Sequence, residues 1–323
     1  MAKAIRFYET GAADVLRYED VEVGEPGPGE ARVRHSMIAV NFIDIYFRTG
    51  TYPAQLPSGL GSDAVGVVEA IGEGVTDIAA GDRVGYLIGP QGAYGDVRVM
   101  HAQFLIRIPN GVSDSTASTL MMKGLTAQYL FRQVFPLSGG ETILYHAAAG
   151  GVGLIACQWA KALGVTMIGT VSSDAKAEIA KAHGCTHTIV TSREDIAKRV
   201  RELTAGKGVP VVYDSVGKDT LQASLDSLQP RGTLVSNGTS SGKVVIDTMQ
   251  LAAKGSLWVT RPAMMHYIQP RSQMLAMADE VFDMVLAGNI KSEPAQQFAL
   301  ADAAQAHQAL ESRQTTGATV LIP

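Results

Sequence analysis

Three small residues mark the place in the chain where chemistry is easiest to predict. Ala147, Gly150 and Gly153 lie between a short apolar run and the amphipathic run 154–163. Small residues at this spacing allow a backbone to bend tightly, to approach a pyrophosphate and to pack a helix against its own strand. The amino end of that helix presents N–H groups and the positive end of its dipole, so phosphates bind without a cationic side chain at the turn.

This order of strand, turn and helix predicts a dinucleotide site. Gly164 after the helix and an apolar strand at 165–171 complete the pattern of a nucleotide-binding unit. The alternative is a turn whose small residues only pack the helix onto the sheet. The turn residues expected to contact the cofactor are Ala149, Gly150, Gly151, Val152 and Gly153.

The end of the second strand indicates which dinucleotide is bound. A site specific for NAD usually places an acid there, against the ribose 2′-hydroxyl. This chain instead has Ser172 and Ser173, which leave room for a 2′-phosphate, and Lys176 one helical turn further on. We therefore expect NADPH. Asp174 is a competing ribose acid, although an acid in the first turn of a helix beginning near Ser173 is the better-supported role.

The elements that position this site alternate between strands and helices. Further apolar strands are predicted at 186–190, 210–216 and 232–238, the last after a Pro-Arg-Gly turn. Ser192 to Asp195 resembles a capping box that opens a helix ending near Gly206. The alternation predicts a doubly wound parallel sheet.

The segments on either side of this sheet have a different pattern. Over the first 125 residues or so, glycine and proline turns separate short alternating strands such as 31–40 and 63–71, which predict a β-rich, barrel-like domain. After about Pro262 the chain returns to a helix at 272–287 and a short strand at 317–322.

Composition restricts the class of protein. The chain has 323 residues, 46% of them hydrophobic and 18% charged, which predicts two domains with large cores. The net charge of −4 and the absence of Lys or Arg runs argue against nucleic acid or anionic membrane as partners. No uncharged stretch reaches the ~20 residues that span a bilayer. The amino terminus also lacks a signal-peptide core, so we expect a cytoplasmic protein.

The two cysteines and the nearby histidines are the residue types that bind transition metals. Cys157 is expected in a core, and Cys185 lies between His183 and His187. Neighbouring residues of a strand point to opposite faces, so these three side chains would converge poorly, and no fourth ligand is near. We predict neither a metal site nor a disulfide.

The order of a β-rich domain, a nucleotide fold and a carboxyl-terminal return resembles the medium-chain dehydrogenase/reductase superfamily. Within it, the runs 40–46, 123–127, 146–153 and 213–217 are similar to the zinc-independent quinone oxidoreductases, the group that includes zeta-crystallin. The resemblance covers essentially the whole chain.

This resemblance implies an α/β fold of two domains. The first is a GroES-like β-rich barrel formed by residues 1–125 and completed by residues 263–323. The second is a Rossmann-type doubly wound parallel sheet formed by residues 126–262. The resemblance also implies that the cofactor lies in the cleft between them and that the protein is a homodimer.

Metal-dependent relatives differ at the positions that bind zinc. Asn41 stands where they have the first zinc-binding Cys, and Gly61-Ser62-Asp63 stands where they have Gly-His-Glu. Because no cysteine precedes Cys157, neither the catalytic nor the structural zinc site of those relatives can be built. An alcohol dehydrogenase mechanism would then lack its Lewis acid. Quinones, and alkenes conjugated to a carbonyl, accept hydride without one.

The resemblance also implies roles for individual residues. Asn41, Tyr46 and Thr126 would lie near the nicotinamide and its ribose, and Lys176 and Arg313 would bind the 2′-phosphate with Ser172. The other expected cofactor contacts are Ser173, Ser192, Ser215, Asn237, Gly238 and Arg261. Relatives often place a Tyr after the third strand. Arg193 is the candidate replacement here, with a surface position in the first turn of a helix as the alternative.

The expected activity is NADPH-dependent reduction of a quinone without metal. Asn41, Tyr46 and Tyr52 are the candidate catalytic residues, because they can hydrogen-bond a developing quinol oxygen. The alternative for Tyr46 is a structural role, as a half-buried aromatic on the same helical face as Ile43, three residues earlier. Two other functions stay open. One is alkenal or enone (enoyl) reduction, and the other is a crystallin-like or RNA-binding role.

Overall fold

The computed structural model describes residues 1–313 and 315–323, which form two compact units. The first unit contains Met1–Leu125, Pro270–Leu286 and Lys291–Pro323, and the second contains Thr126–Gln269 and Ala287–Ile290. None of the helices in the described ranges combines the length and the apolar character that crossing a membrane requires.

The strands and helices are numbered along the chain. The strands are β1 (Ala2–Phe7), β2 (Arg17–Val21), β3 (Glu30–Val40), β4 (Ser58–Gly59), β5 (Ala64–Ile71), β6 (Arg83–Tyr86), β7 (Val97–His101), β8 (Ile106–Arg107), β9 (Thr142–Tyr145), β10 (Thr166–Val171), β11 (His187–Val190), β12 (Val209–Asp214), β13 (Leu228–Ser236), β14 (Trp258–Thr260), β15 (Pro294–Ala299) and β16 (Ala318–Ile322). The α-helices are α1 (Phe42–Arg48), α2 (Asp114–Tyr129), α3 (Gly151–Ala162), α4 (Asp174–Ala182), α5 (Ile196–Leu203), α6 (Leu221–Ser227), α7 (Thr248–Ala253), α8 (Arg271–Leu286) and α9 (Ala303–Glu311).

The first unit is built on a seven-stranded sheet with the order β15-β16-β3-β5-β6-β8, in which β7 also pairs with β3. The long strand β3 shows why this sequence forms a sheet. Ala31 and Val33 are buried on one face, whereas Arg32 and Arg34 alternate with them and pair with Glu69 on β5. This period of two gives the strand one apolar face and one charged face.

The second unit is a six-stranded sheet with the order β11-β10-β9-β12-β13-β14, and all its strand pairs are parallel. Its central strands are apolar on both faces, as in Val211 and Val212 of β12, which are fully buried. The winding reverses at β9, which lies between β10 and β12. Ligands of open α/β sheets bind at such a reversal, beyond the carboxyl ends of the strands.

The structure confirms the predicted α/β class, with a doubly wound parallel sheet and a separate, largely antiparallel β-rich part. Two local predictions were wrong. Helix α5 begins at Ile196, because Asp195, not Ser192, is its N-cap and accepts the Lys198 N–H at 2.8 Å. The Pro-Arg-Gly sequence is not a turn before β13. It lies inside that strand, where Arg231 adopts a left-handed φ of 60°.

Candidate active site

The carboxyl ends of the parallel strands bring most of the predicted cofactor residues to one edge of the second unit. Successive loops leave the sheet there, because parallel strands all end on the same side. The predicted residues in these loops are Ala149 to Gly153 after β9, Ser172 and Ser173 after β10, Ser192 after β11, Ser215 after β12, Asn237 and Gly238 after β13, and Arg261 after β14.

The glycine turn after β9 is tightly packed. Ala147 has a left-handed φ of 56°, and α3 begins at Gly151 with Gly150 as its N-cap. A Cβ atom on Gly153 would lie 2.5 Å from the Ala147 carbonyl oxygen and 2.6 Å from that of Ala148. A Cβ on Gly150 would meet only the Ala147 oxygen, at 3.2 Å. Gly153 therefore permits the packing of helix on turn, and the first amides of α3 have no partner within the helix.

A buried polar network beneath this turn fixes the backbone of Ala147. His146 Nε2 lies 2.9 Å from Ser224 Oγ, which donates to Asp214 Oδ2 at 2.6 Å. Since the Ser224 proton goes to Asp214, Nε2 carries the hydrogen, and Nδ1 accepts from Thr170 Oγ1 at 3.0 Å. Thr170 Oγ1 in turn accepts the Ala147 N–H at 3.3 Å. Burial lowers the pKa of His146, which favours the neutral imidazole in this network.

Sequence reasoning missed this network. A histidine directly after an apolar strand was the available signal, together with an aspartate that ends another strand. The two become partners only when β9 and β12 lie side by side in the sheet.

The loop after β10 places charges around the predicted 2′-phosphate site. Ser173 is the N-cap of α4, and its Oγ accepts the Lys176 N–H at 3.4 Å. Asp174 is the first residue of α4, and both of its carboxylate oxygens accept from Arg193 at 2.6 Å. This contact with the guanidinium lowers the pKa of Asp174. Arg193 thus lies beside Asp174, and both side chains are exposed.

Arg261 and Asn237, two more predicted residues, form hydrogen bonds with backbone groups at the ends of the strands. Arg261 Nη1 donates to the carbonyl oxygens of Ser236, at 3.0 Å, and Gly238, at 2.8 Å. The Asn237 N–H donates to the Asp214 carbonyl at 2.8 Å. The side-chain oxygen of Asn237 is buried and has no hydrogen-bond partner within the described ranges.

The predicted catalytic residues lie in the first unit, around helix α1. The Tyr46 ring packs 5.7 Å from the Phe42 ring and 5.3 Å from the Tyr52 ring, measured between centroids. The Tyr52 N–H also donates to the Tyr46 carbonyl at 3.0 Å. Both phenols are half-buried. Asn41 precedes the helix and is 7% exposed.

Asn41 is the centre of a buried charged cluster, which we call the Asn41 cluster and define as Asn41, Asp44, Asp63 and Lys123. The Asn41 N–H donates to Asp44 Oδ2 at 2.8 Å. Its side-chain Nδ2 donates to Asp63 Oδ2 at 3.1 Å, and its Oδ1 accepts from Lys123 Nζ at 2.8 Å. Burial raises the pKa of Asp44 to about 7 and that of Asp63 to about 6, and it lowers the pKa of Lys123.

A hydrogen-bond chain joins this cluster to helix α9. Arg48 donates to His307 Nδ1 at 3.2 Å, and His307 Nε2 and Asp44 Oδ2 each lie 3.0 Å from the Tyr94 hydroxyl. Burial lowers the pKa of His307 to about 3, so its imidazole is neutral, with the hydrogen on Nε2. Arg48 also forms a bidentate pair with Glu311. Sequence reasoning missed the chain, although acids within apolar runs were a signal.

Two predicted residues are not part of either group described above. Thr126 lies within α2, and Arg313 follows α9 with a left-handed φ of 58°. In the part of the chain that the structure describes, no three His, Cys, Asp or Glu side chains are arranged to hold a metal, and this includes His183, Cys185 and His187. Cys157 and Cys185 are buried thiols.

Comparison with known proteins assigns the family. A model described as "Alcohol dehydrogenase GroES-like domain" matches residues 27–110, and one described as "Zinc-binding dehydrogenase" matches residues 151–281. These two domains, in this order, define the medium-chain dehydrogenase/reductase superfamily.

Relatives that match the chain over its full length identify the family within this superfamily. The chain is 55% identical to quinone oxidoreductase of Pseudomonas aeruginosa over 100% of both chains. It is 46% identical to 2-haloacrylate reductase of a Burkholderia species, over 100% of this chain and 99% of that one. The crystal structure of Escherichia coli quinone oxidoreductase complexed with NADPH matches with a TM-score of 0.98 and 45% identity, over 100% of both chains. The chain belongs to the quinone oxidoreductase family, which confirms the resemblance seen in its sequence.

Proposed function

We propose that this protein is an NADPH-dependent oxidoreductase that reduces quinones by hydride transfer without a metal. The glycine turn carries the proposal, because Gly153 packs against backbone that any side chain would displace, and it places the free amides of α3 at the carboxyl edge of the sheet. The quinone oxidoreductase relatives, one of them solved with NADPH, support the same activity.

The residues present fit NADPH. Gly150 to Gly153 would hold the pyrophosphate at the amino end of α3, where a side chain on Gly150 would meet only one backbone atom. Ser172, Ser173 and Lys176 would hold the 2′-phosphate, and Arg313 is the further cation that we assign to it. Because Arg193 neutralises Asp174, the neighbouring acid would repel that phosphate less. When bound, NADPH supplies the hydride that converts the quinone to the hydroquinone level, and water supplies the remaining proton.

The other proposed contacts follow the strand ends. Ser192, Ser215, Asn237, Gly238 and Arg261 complete the cofactor site on the second unit, with Thr126 from α2. The unpartnered Asn237 oxygen is a buried acceptor that a carboxamide group of the cofactor would satisfy. We assign the GroES-like catalytic role to residues 1–125 with 263–323, and cofactor binding to residues 126–262.

The first unit would supply the groups that touch the quinone. Asn41, Tyr46 and Tyr52 carry an amide and two phenols on and beside α1, and each can donate a hydrogen bond to an oxygen that gains negative charge. Positioning of the two rings accounts for most of the acceleration in this proposal, so neither phenol needs to act as an acid.

A second activity has a specific observation in its favour. The 2-haloacrylate reductase relative is 46% identical over the full chain, and its name describes reduction of an activated alkene. A donor to a developing enolate oxygen serves that reaction as it serves quinone reduction, so the same residues would be used.

Steady-state assays distinguish these activities. Purified protein is given NADPH or NADH with benzoquinones, naphthoquinones, enones and 2-haloacrylate, with and without a metal chelator. We expect quinone reduction, preference for NADPH and no effect of the chelator. Reduction of the alkenes but of no quinone would replace the first proposal with the second. No turnover of either class would favour the crystallin-like or RNA-binding role. Inactivation by the chelator, reversed by zinc, would contradict the metal-free mechanism.

Two expectations from the sequence stay predictions. The homodimer is tested by light scattering during size-exclusion chromatography, and the cytoplasmic location by cell fractionation.

A further inference from the structure

The Asn41 side chain is held at both ends by opposite charges. Lys123 Nζ donates to its oxygen at 2.8 Å, and Asp63 Oδ2 accepts from its nitrogen at 3.1 Å. Asp63 is fully buried, and Lys123 is only 6% exposed. These contacts join three distant parts of the chain: the end of β3, the start of β5 and the middle of α2.

This arrangement fixes which end of the amide is which. A rotated amide would place its NH₂ group against the Lys123 ammonium and its oxygen against the Asp63 carboxylate, so both hydrogen bonds would become repulsive contacts. The NH₂ group has two hydrogens, and its contact within the described ranges is the one with Asp63. Asn41 is therefore set as a donor with one N–H to spare.

The Lys123 cation also strengthens that donor. A cation on the amide oxygen draws electron density away from the nitrogen, so the spare N–H becomes a better donor in a medium of low dielectric constant, while Asp63 fixes the orientation of the amide. Burying an ammonium and a carboxylate costs free energy, and apolar side chains of similar volume would fill the same space without that cost. Lys123 Nζ also donates to the Val40 carbonyl at 3.3 Å, which holds the cation in place.

We propose that Lys123 and Asp63 are positioning residues that hold Asn41 as a polarised hydrogen-bond donor to the substrate oxygen. The inference rests on the proposed function and adds to it. When a quinone accepts hydride, it gains one hydrogen and two electrons while the nicotinamide is oxidised. A quinone oxygen becomes an anion and then takes a proton from water. The spare Asn41 N–H stabilises that anion and is not itself transferred.

The test must separate charge from structure, because Lys123→Met alone leaves Asp63 buried without its cation and is expected to unfold more easily. The double variant Asp63→Asn/Lys123→Met removes both charges. We expect it to fold with a thermal midpoint near that of the single variant or higher, and to bind NADPH within about threefold of wild type. Its kcat should fall about ten- to a hundredfold, below the ~10²–10³-fold loss of a deleted oxyanion donor. Lys181→Met is the control, since that lysine is exposed on α4 and pairs with Glu178.

A series of quinones supplies the second measurement. Donation to the oxygen matters most for quinones that accept electrons poorly, so the loss in the double variant should grow along a series of decreasing reduction potential. Two outcomes would show that Lys123 has only a structural role. One is an equal loss of kcat for all quinones, and the other is a double variant that is stable and has the wild-type kcat.

The third measurement does not depend on turnover. The side-chain amide resonances of Asn41, assigned by their disappearance in Asn41→Ser, should move to lower proton frequency when the two charges are removed. Unmoved resonances would overturn the polarisation. If wild-type protein reduces no quinone, the proposed function fails, and these resonances alone then support or overturn the polarised donor.

Discussion

The Asn41 cluster of the first unit and the glycine turn of the second unit both prepare polar groups for a ligand, but by different means. Around Asn41 the protein buries ionisable side chains, two carboxyl groups and an amine. At the glycine turn the ligand-facing groups are backbone amides, and the side chains beneath them form a network around a neutral His146. A backbone site depends on packing, whereas a charged site depends on protonation.

This difference predicts which changes each region tolerates. The glycine turn should be sensitive to a single added carbon atom and insensitive to pH. The Asn41 cluster should tolerate isosteric changes and respond to pH.

The largest expected effect is at Gly153. A Cβ atom there would lie 2.5 Å from the Ala147 carbonyl oxygen, so Gly153→Ala forces the turn or α3 to move. We expect the Kd for NADPH, measured by nicotinamide fluorescence, to rise about a thousandfold, which is ~4 kcal/mol. Gly24→Ala is the control, because a Cβ there meets no described atom within 4 Å and the residue lies outside the proposed cofactor site. Similar losses in both variants would show that the effect at Gly153 does not come from the packing of α3 on the turn.

The next effect tests the buried charge. Burial raises the pKa of Asp44 from 3.8 to about 7, so the folded protein binds this proton more tightly than the unfolded chain does. The resulting stability is complete below about pH 4 and is lost as the pH rises through about 7. Asp44→Asn cannot ionise. Its free energy of unfolding should therefore rise relative to wild type between pH 4 and pH 8, by up to about 4 kcal/mol at ~1.4 kcal/mol per unit of pKa.

Urea unfolding of both proteins at a series of pH values measures this difference. Asp174→Asn is the control. The pKa of Asp174 is lowered by Arg193, so any stability it adds is present at neutral pH and is lost as the pH falls. A constant difference between Asp44→Asn and wild type would mean that Asp44 does not titrate in this range.

The smallest effect concerns a positive charge in the first turn of α4. Lys176→Ala should weaken NADPH about ten- to a hundredfold and leave NADH almost unchanged, since one charge-assisted hydrogen bond is worth ~1.5–3 kcal/mol. Arg313→Ala should do the same. Lys181→Ala, further along α4, should change neither cofactor. Equal losses of affinity for NADPH and NADH would exclude a contact between these residues and the 2′-phosphate.

The glycine turn could be predicted from the sequence because its parts are neighbours in the chain. Thirteen consecutive residues, from the strand before Ala147 to Gly153, hold the whole pattern, and the following strand ends at Val171, directly before Ser172. The parallel sheet followed from the alternation of strands and helices for the same reason. The wrong prediction at Ser192 also concerns neighbouring residues. Ser192 and Asp195 are both suitable N-cap residues, and the helix begins after Asp195.

The Asn41 cluster could not be predicted in this way. Asn41 and Asp44 are close in sequence, but Asp63 precedes β5 and Lys123 lies in α2, and His307 of α9 joins the cluster only through Tyr94. Each of them alone reads as an ordinary polar residue. Only the sheet and helix packing of the first unit brings them together, and burial then changes their protonation.

The position of β16 has a consequence for how the chain is made. Residues 318–322 form an interior strand of the first sheet, between β15 and β3, and Val320 pairs with Ala39. On the ribosome, β3 emerges about 280 residues before this partner, and contacts so distant in sequence form slowly. The second unit is nearly continuous in the chain and is complete first. A nascent chain stopped before residue 318 would therefore carry a finished nucleotide-binding unit and an open strand edge on β3, which is a template for aggregation.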